Sequence, residues 1–358
     1  MKKGSVILVG GPASGKTNYI GRLWLSFAAK KGKLRAEQLP TNIEYVNAAV
    51  RHLQTRKFAP RSDKNMEEGG RRDFTIQVRA EHGAGSIRDL TVPDITGELW
   101  SKAIKSYELP KDWAAALKGS ASAILFVRAH SKFNIQPMDW VTARDHLEEH
   151  DDDDDEEDIE DDDDDYGADE DEDGDPIEGD GPPVEGQSIP LGENIETVVI
   201  DVSAGEPAES EEHGDDGEDT EVVKKRDLLP AQVGFCELLR YLSLLMPDRE
   251  DGGKPRVAVV VTAWDALDGN AKMAGPMQYL DDQFPMFAGR IRTPGRLDIK
   301  VFGMSIVGGN LRGPINKAFR DSLKGLDLSE VGYTAVMRDG AVVEDPDVTI
   351  PLAWALGD

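Results

Sequence analysis

A single cysteine, Cys236, stands among 358 residues. A disulfide within the chain is therefore impossible, and a reducing, cytoplasmic setting is expected. Long apolar runs are also missing. Nothing approaches the ~18 residues of a membrane-spanning helix, so no membrane partner is expected. The short apolar run behind Met1, Lys2 and Lys3 falls well below a signal-peptide core. Basic residues are absent from residues 148–221, which hold 37 of the 69 acidic residues. The formal net charge of -28 belongs to that stretch; the remaining 32 acids face all 41 Lys and Arg, a net of +9.

Like charges packed so densely repel one another and leave too little apolar surface to offset ordering entropy, so the acidic stretch is expected to be disordered. One apolar island, residues 195–202 (IETVVIDV), reads as a strand or a docking segment. The expected organisation is an N-terminal half-domain at 1–147, the acidic insert at 148–221, and the second half of the same domain at 222–358.

Around the insert, short apolar runs alternate with helical patterns. Buried strands are predicted at residues 6–9, 121–127, 256–262 and 299–305, and helices at 16–29, 44–53, 230–245, 315–323 and near 352–356. Residues 74–79 and 89–93, joined through HGAGS, predict a hairpin. Apolar strands alternating with helices imply an α/β fold: a mostly parallel sheet with helices on both faces and one antiparallel hairpin strand.

The first strand runs into Gly10-Gly11-Pro12-Ala13-Ser14-Gly15-Lys16-Thr17, the pattern G-x-x-x-x-G-K-[ST] between a strand and a helix. Glycines let successive backbone N–H groups point at phosphate oxygens, and the helix start adds partial positive charge. The cup continues through Asn18. Lys16 reaches the β- and γ-phosphates and Thr17 is the candidate Mg²⁺ ligand. A second metal carboxylate is expected at the end of another buried strand, and Asp94 of PDITGE supplies it. Gly97 offers an N–H to the γ-phosphate, and Glu98 stands where many GTPases orient the attacking water. In Thr262-Ala263-Trp264-Asp265, the carboxylate is suited to the paired N–H donors of guanine. Ser305 and Ile306, ending the next strand, are placed to contact the guanine O6 side.

This motif order resembles the TRAFAC class of P-loop GTPases, and more narrowly the bacterial double-GTPase families of conflict and defence gene clusters. GGPASGKTNYI, the FAPRS loop at 58–62, PDITGE, the PAQ…ELLRYL helix and the ending DVTIPLAWAL carry the narrower likeness. The resemblance implies a P-loop G domain, GTP and GDP as ligands with Mg²⁺, slow hydrolysis, and a partner GTPase or effector protein. It also implies a switch I hydroxyl on the metal, for which Ser62 is the candidate and Thr41 and Thr55 are rivals. One departure stands out. The usual guanine motif is [NT]KxD, whose lysine packs on the P-loop and base; here Ala263 takes that place.

Other patterns carry less. Asp169, Asp171, Asp173, Gly174 and Asp180 nearly spell a Ca²⁺ loop, but Pro176 and the acidic composition account for the match. His146 and His150 read as the solvated edge of the acidic run, and Cys236 as a core residue of its helix. Residues 51–72 hold seven Lys and Arg, a solvated loop or a mobile switch whose arginines meet phosphate, a partner or the insert. The basic body leaves a nucleic-acid partner open. The competing readings are a non-hydrolysing nucleotide-bound scaffold with an acidic working surface, and a P-loop ATPase or small-molecule kinase.

Overall fold

The apolar strands divide their side chains between two cores by parity. In β1 (Lys2–Val9), β6 (Ser122–Arg128) and β8 (Arg256–Thr262), Val6, Leu8, Ile124, Phe126, Ala258 and Val260 face one cluster. Ile7, Val9, Leu125, Val127, Val257 and Val259 face the other. Successive strand residues point to opposite faces, so a continuous apolar run is what a strand covered on both sides requires. The computed structural model describes residues 2–38, 43–59, 71–80, 88–95, 97–131, 134, 197–199, 229–293 and 295–357. They fall in one of two compact units, residues 1–137 with 196–358; the other unit, 138–195, lies outside the described residues. So do Thr41, Ser62, the histidines at 146 and 150, the Ca²⁺-like run, and all of the acidic stretch except 197–199.

Among the described residues the main sheet has nine strands, in the order β11-β10-β9-β8-β6-β1-β4-β3-β2. Parallel pairing joins β4 (Arg88–Ile95), β1, β6, β8 and β9 (Asp298–Ser305). The expected hairpin is present: β3 (Arg71–Ala80) runs antiparallel to β4, and β2 (Leu34–Ala36) extends that margin. A second antiparallel margin was not anticipated. β10 (Tyr333–Arg338) and β11 (Ala341–Asp345) turn at Asp339-Gly340, where both φ angles are positive (51° and 81°). Asp-Gly between alternating residues is a strong hairpin signal, because both turn positions need left-handed backbone. Within residues 195–202, the strand reading holds for β7 (Thr197–Val199), which pairs with β5 (Glu108–Pro110) in a small separate sheet.

Helices cover both faces. On one lie α1 (Lys16–Ala28) and α2 (Ile43–Gln54), burying Ile20, Leu23 and Phe27 with Val46 and Leu53. On the other lie α3 (Gly97–Ser106), α4 (Lys111–Lys118) and α5 (Ala231–Leu245). Trp100, Trp113, Leu117, Leu238 and Leu242 fill that side. Cys236, partly buried on α5, packs against the same cluster, and burial pushes its thiol pKa up. Beyond β8 come the short helices α6 (Gly269–Ala274), α7 (Pro276–Gln283) and α8 (Pro285–Arg292), then α9 (Lys317–Ser322). The terminal α10 (Ile350–Leu356) sits at the start of the central strands: Ser122 Oγ donates to Ala355 O (2.8 Å) and Arg256 Nη1 to Trp354 O (2.8 Å).

One buried cation fixes α1. Arg22 is fully buried and donates to Ser329 O (2.9 Å) and, through Nε and Nη2, to Val331 O (2.9 and 2.7 Å). Burial pushes its pKa down to about 10, against the opposing pull of Asp327 and Asp347. The P-loop helix is thereby tied to the segment leading into β10. Arg22→Met removes the donors and leaves buried carbonyls unpaired. It is expected to destabilise the fold by about 2–4 kcal/mol, read as a lower urea midpoint at unchanged slope.

Candidate functional site

β1 is flanked by β4 on one side and β6 on the other, so the chain leaves it in opposite directions across the sheet. A crevice opens beyond the carboxyl ends of parallel strands at such a switch point. Here it is a cavity of about 420 Å³, within the range of small-ligand sites. Its floor is the loop between β1 and α1. Gly15 has φ 96°, where a side chain would be strained, and Ala13 also adopts left-handed backbone (φ 52°). No side chain caps α1 and no acidic residue stands in its first turn. The open amides of that turn therefore present positive charge to the cavity. Lys16 folds over the loop: its Nζ donates to Gly10 O (2.8 Å) and lies 3.4 Å from Gly11 O.

Gly97, at the start of α3, sits directly on this floor. A Cβ there would collide with the backbone of Gly11 and Pro12. The cavity lining includes Gly97, and every residue of the sequence-predicted cup from Gly11 through Asn18. Gly10 lies beneath, as the acceptor for Lys16. Asn18 Oδ1 accepts the Ala59 N–H (2.9 Å), which brings Phe58 and Ala59 of the FAPRS segment to the wall. Asp94 lies near the end of β4, in register with Leu8 of β1, two residues before the P-loop. Its side chain and that of Glu98 lie outside the described residues.

The opposite end of the cavity is built by β8 and β9. Thr262 Oγ1 donates to Ser14 O (2.9 Å), clipping the P-loop to the end of β8. The Trp264 ring lies against Gly303, where a Cβ would meet it at 2.5 Å, and its edge packs on Tyr279. This seats the loop that presents Asp265, a wall residue. Ile306 also reaches the wall. Ser305 is not part of the wall: it is fully buried behind Asp265. Its hydroxyl donates to Asp265 Oδ1 (2.5 Å) and accepts the Gly308 N–H (2.9 Å), which orients the carboxylate. The helix cap next to Asp265 is Asp268, which accepts Ala271 N–H (2.9 Å), so Asp265 is left to the cavity.

Sequence reasoning missed Arg128, His130, Asn310 and Arg312, all wall residues. Arg128 was discoverable as the charge that closes the apolar strand SAILFVR. Asn310 and Arg312 lie in the loop after β9, with no motif to mark them.

Fold and cavity together define a P-loop protein of the nucleotide-binding class, with the Gly11–Asn18 loop at one end of the cavity and the Asp265 carboxylate at the other. The family model for Double-GTPase 1 matches residues 7–173 and 191–355, and the chain belongs to that family. No curated protein and no solved structure matches it.

Mg²⁺ is bound through a few hard oxygens, with phosphate and water completing its shell. The residues fit that ion: Thr17 is at the wall and Asp94 at the adjoining strand end. Among the described residues no cluster of three or more His, Cys, Asp or Glu provides an all-protein cage. Gly97→Ala is expected to lift α3 off the P-loop and weaken triphosphate binding about tenfold or more. Calorimetric titration with a non-hydrolysable GTP analogue checks this, and unchanged affinity would show that the contact is not needed.

Proposed function

We propose that the chain is a Mg²⁺-dependent GTPase that works as a nucleotide switch. One observation carries the reading: a single cavity joins the P-loop amides to Asp265, whose carboxylate is held by Ser305. The cup takes the phosphates, with Lys16 balancing the charge of the β- and γ-groups. Asp265 accepts from the paired N–H groups of guanine, which adenine lacks in that arrangement. Thr17 and Asp94 are the protein ligands for Mg²⁺, with Ser62 as a third. The ion, when bound, neutralises charge between the phosphates.

Gly97 donates its N–H to the γ-phosphate, and Glu98, the next residue in the chain, is assigned to orient the attacking water. The Gly97 contact supports a switch: a helix seated on the P-loop backbone registers whatever the loop holds. Intrinsic turnover is expected on the order of 10⁻⁴ to 10⁻² s⁻¹, rising when a partner completes the site. The double-GTPase resemblance supports a second GTPase or effector as that partner, and a bacterial conflict or defence system as the setting. The lone cysteine supports a cytoplasmic location, and no described helix is long and apolar enough to cross a membrane.

Two substitutions test the halves separately. Lys16→Ala is expected to abolish triphosphate binding in a calorimetric titration; retained tight binding would refute the phosphate assignment. Asp265→Ala is expected to weaken GTP by about a hundredfold and leave ATP nearly unchanged. Equal losses for the two nucleotides would refute the guanine assignment. Phosphate release from GTP by purified protein, with and without the partner, separates a GTPase from a static scaffold.

A further inference from the structure

Position 263 is where the guanine pattern carries a lysine packed on the P-loop and base, and here it is alanine. Ala263 lines the cavity with a methyl group alone, in left-handed backbone (φ 55°). The P-loop is nevertheless held by a cation at that seam. Arg128, the last residue of β6, stands opposite Thr262 of β8 in the parallel ladder, and Ala129 N–H donates to Thr262 O (3.0 Å). From there Arg128 Nη1 donates to Ala13 O (3.0 Å), one residue before the carbonyl that Thr262 holds. Its side chain is part-buried and lines the cavity between the phosphate cup and Ala263. Lys16 sits deeper, on Gly10 O.

Resting on the guanine-nucleotide reading of this cavity, we propose that Arg128 supplies from β6 the positioning cation that position 263 lacks. It holds Ala13 in left-handed backbone, so that the amides on either side converge on phosphate. It also sets a permanent positive charge beside the bound nucleotide, between its phosphates and its base. A guanidinium suits this double duty. Its planar fork donates to the loop in a fixed geometry, and its charge persists at every physiological pH. The function has moved between strands because the two strand ends are neighbours in the sheet, although 134 residues separate them along the chain.

The test is GDP affinity, measured by calorimetric titration with Mg²⁺ present, in wild type, Arg128→Ala, Arg128→Lys, and Arg128→Ala combined with Ala263→Lys. Arg128→Ala is expected to weaken GDP about ten- to a hundredfold, as loss of a charged hydrogen bond does. Arg128→Lys should retain most of the affinity. Ala263→Lys should restore most of what Arg128→Ala loses, because a lysine there approaches the same loop. A merely structural role for Arg128 would not be repaired from position 263. If Arg128→Ala does not fold, Arg128→Met keeps the apolar stem and stands in, with the same expected loss and recovery. Unchanged GDP affinity in the single variant overturns the proposal while leaving the nucleotide site intact. A loss that neither lysine recovers also overturns it. Wild-type protein that binds no guanine nucleotide removes the site and this role together.

Discussion

Two hydrogen bonds at the top of the sheet hold the molecule's two ends of chemistry together. Arg128 grips Ala13 and Thr262 grips Ser14, each donating from a strand end to a P-loop carbonyl. Residues 14 and 262 are 248 apart in the chain. They meet because β1, β6 and β8 are parallel neighbours in matched register, with Val9 beside Leu125 and Val127 beside Val261. A loop rich in glycine is conformationally free and would lose its aim without external anchors. Here the anchors come from β6 and β8, the second of which leads into Asp265, so the P-loop and Asp265 are set in one frame.

The same logic holds the middle of α1. A helix that presents its start to an anion must be held against tilting, and Arg22 does so through the carbonyls of Ser329 and Val331. The tail closes the other end of the sheet. Asp347 accepts Lys33 N–H (2.8 Å) and Thr349 N–H (2.8 Å), while Arg256 bonds Trp354 O and stacks on its ring. The C-terminal third is therefore bound to the first forty residues at several points. The acidic stretch falls between β6 and α5, and so interrupts no strand of the central sheet.

Much of the site was legible because its chemistry is local. G-x-x-x-x-G-K-T between an apolar run and a helical pattern needs only consecutive backbone angles to work, and consecutive residues specify those. The central strands were legible because burial on both faces leaves an uninterrupted apolar run. Asp265 could be placed because it closes such a run. Ser305 could be placed at a strand end, but not aimed: whether its hydroxyl faces a base or a carboxylate depends on the neighbouring loop. Arg128 was marked only as the charge that closes an apolar strand, and the loop carrying Asn310 and Arg312 was invisible as part of the site, since nothing in its own surroundings requires a ligand. The β10–β11 turn was readable from Asp339-Gly340.

By itself, then, the sequence determined the strand–P-loop–helix unit, the two-faced sheet and its family likeness, because each follows from short-range pattern and periodicity. Only the tertiary structure decided that Gly97 rests on the P-loop, that Ser305 serves Asp265, and that an arginine on β6 stands at the seam left bare by Ala263. Those are contacts between distant segments, and their partners are chosen by strand order and register, which no stretch of adjacent residues encodes.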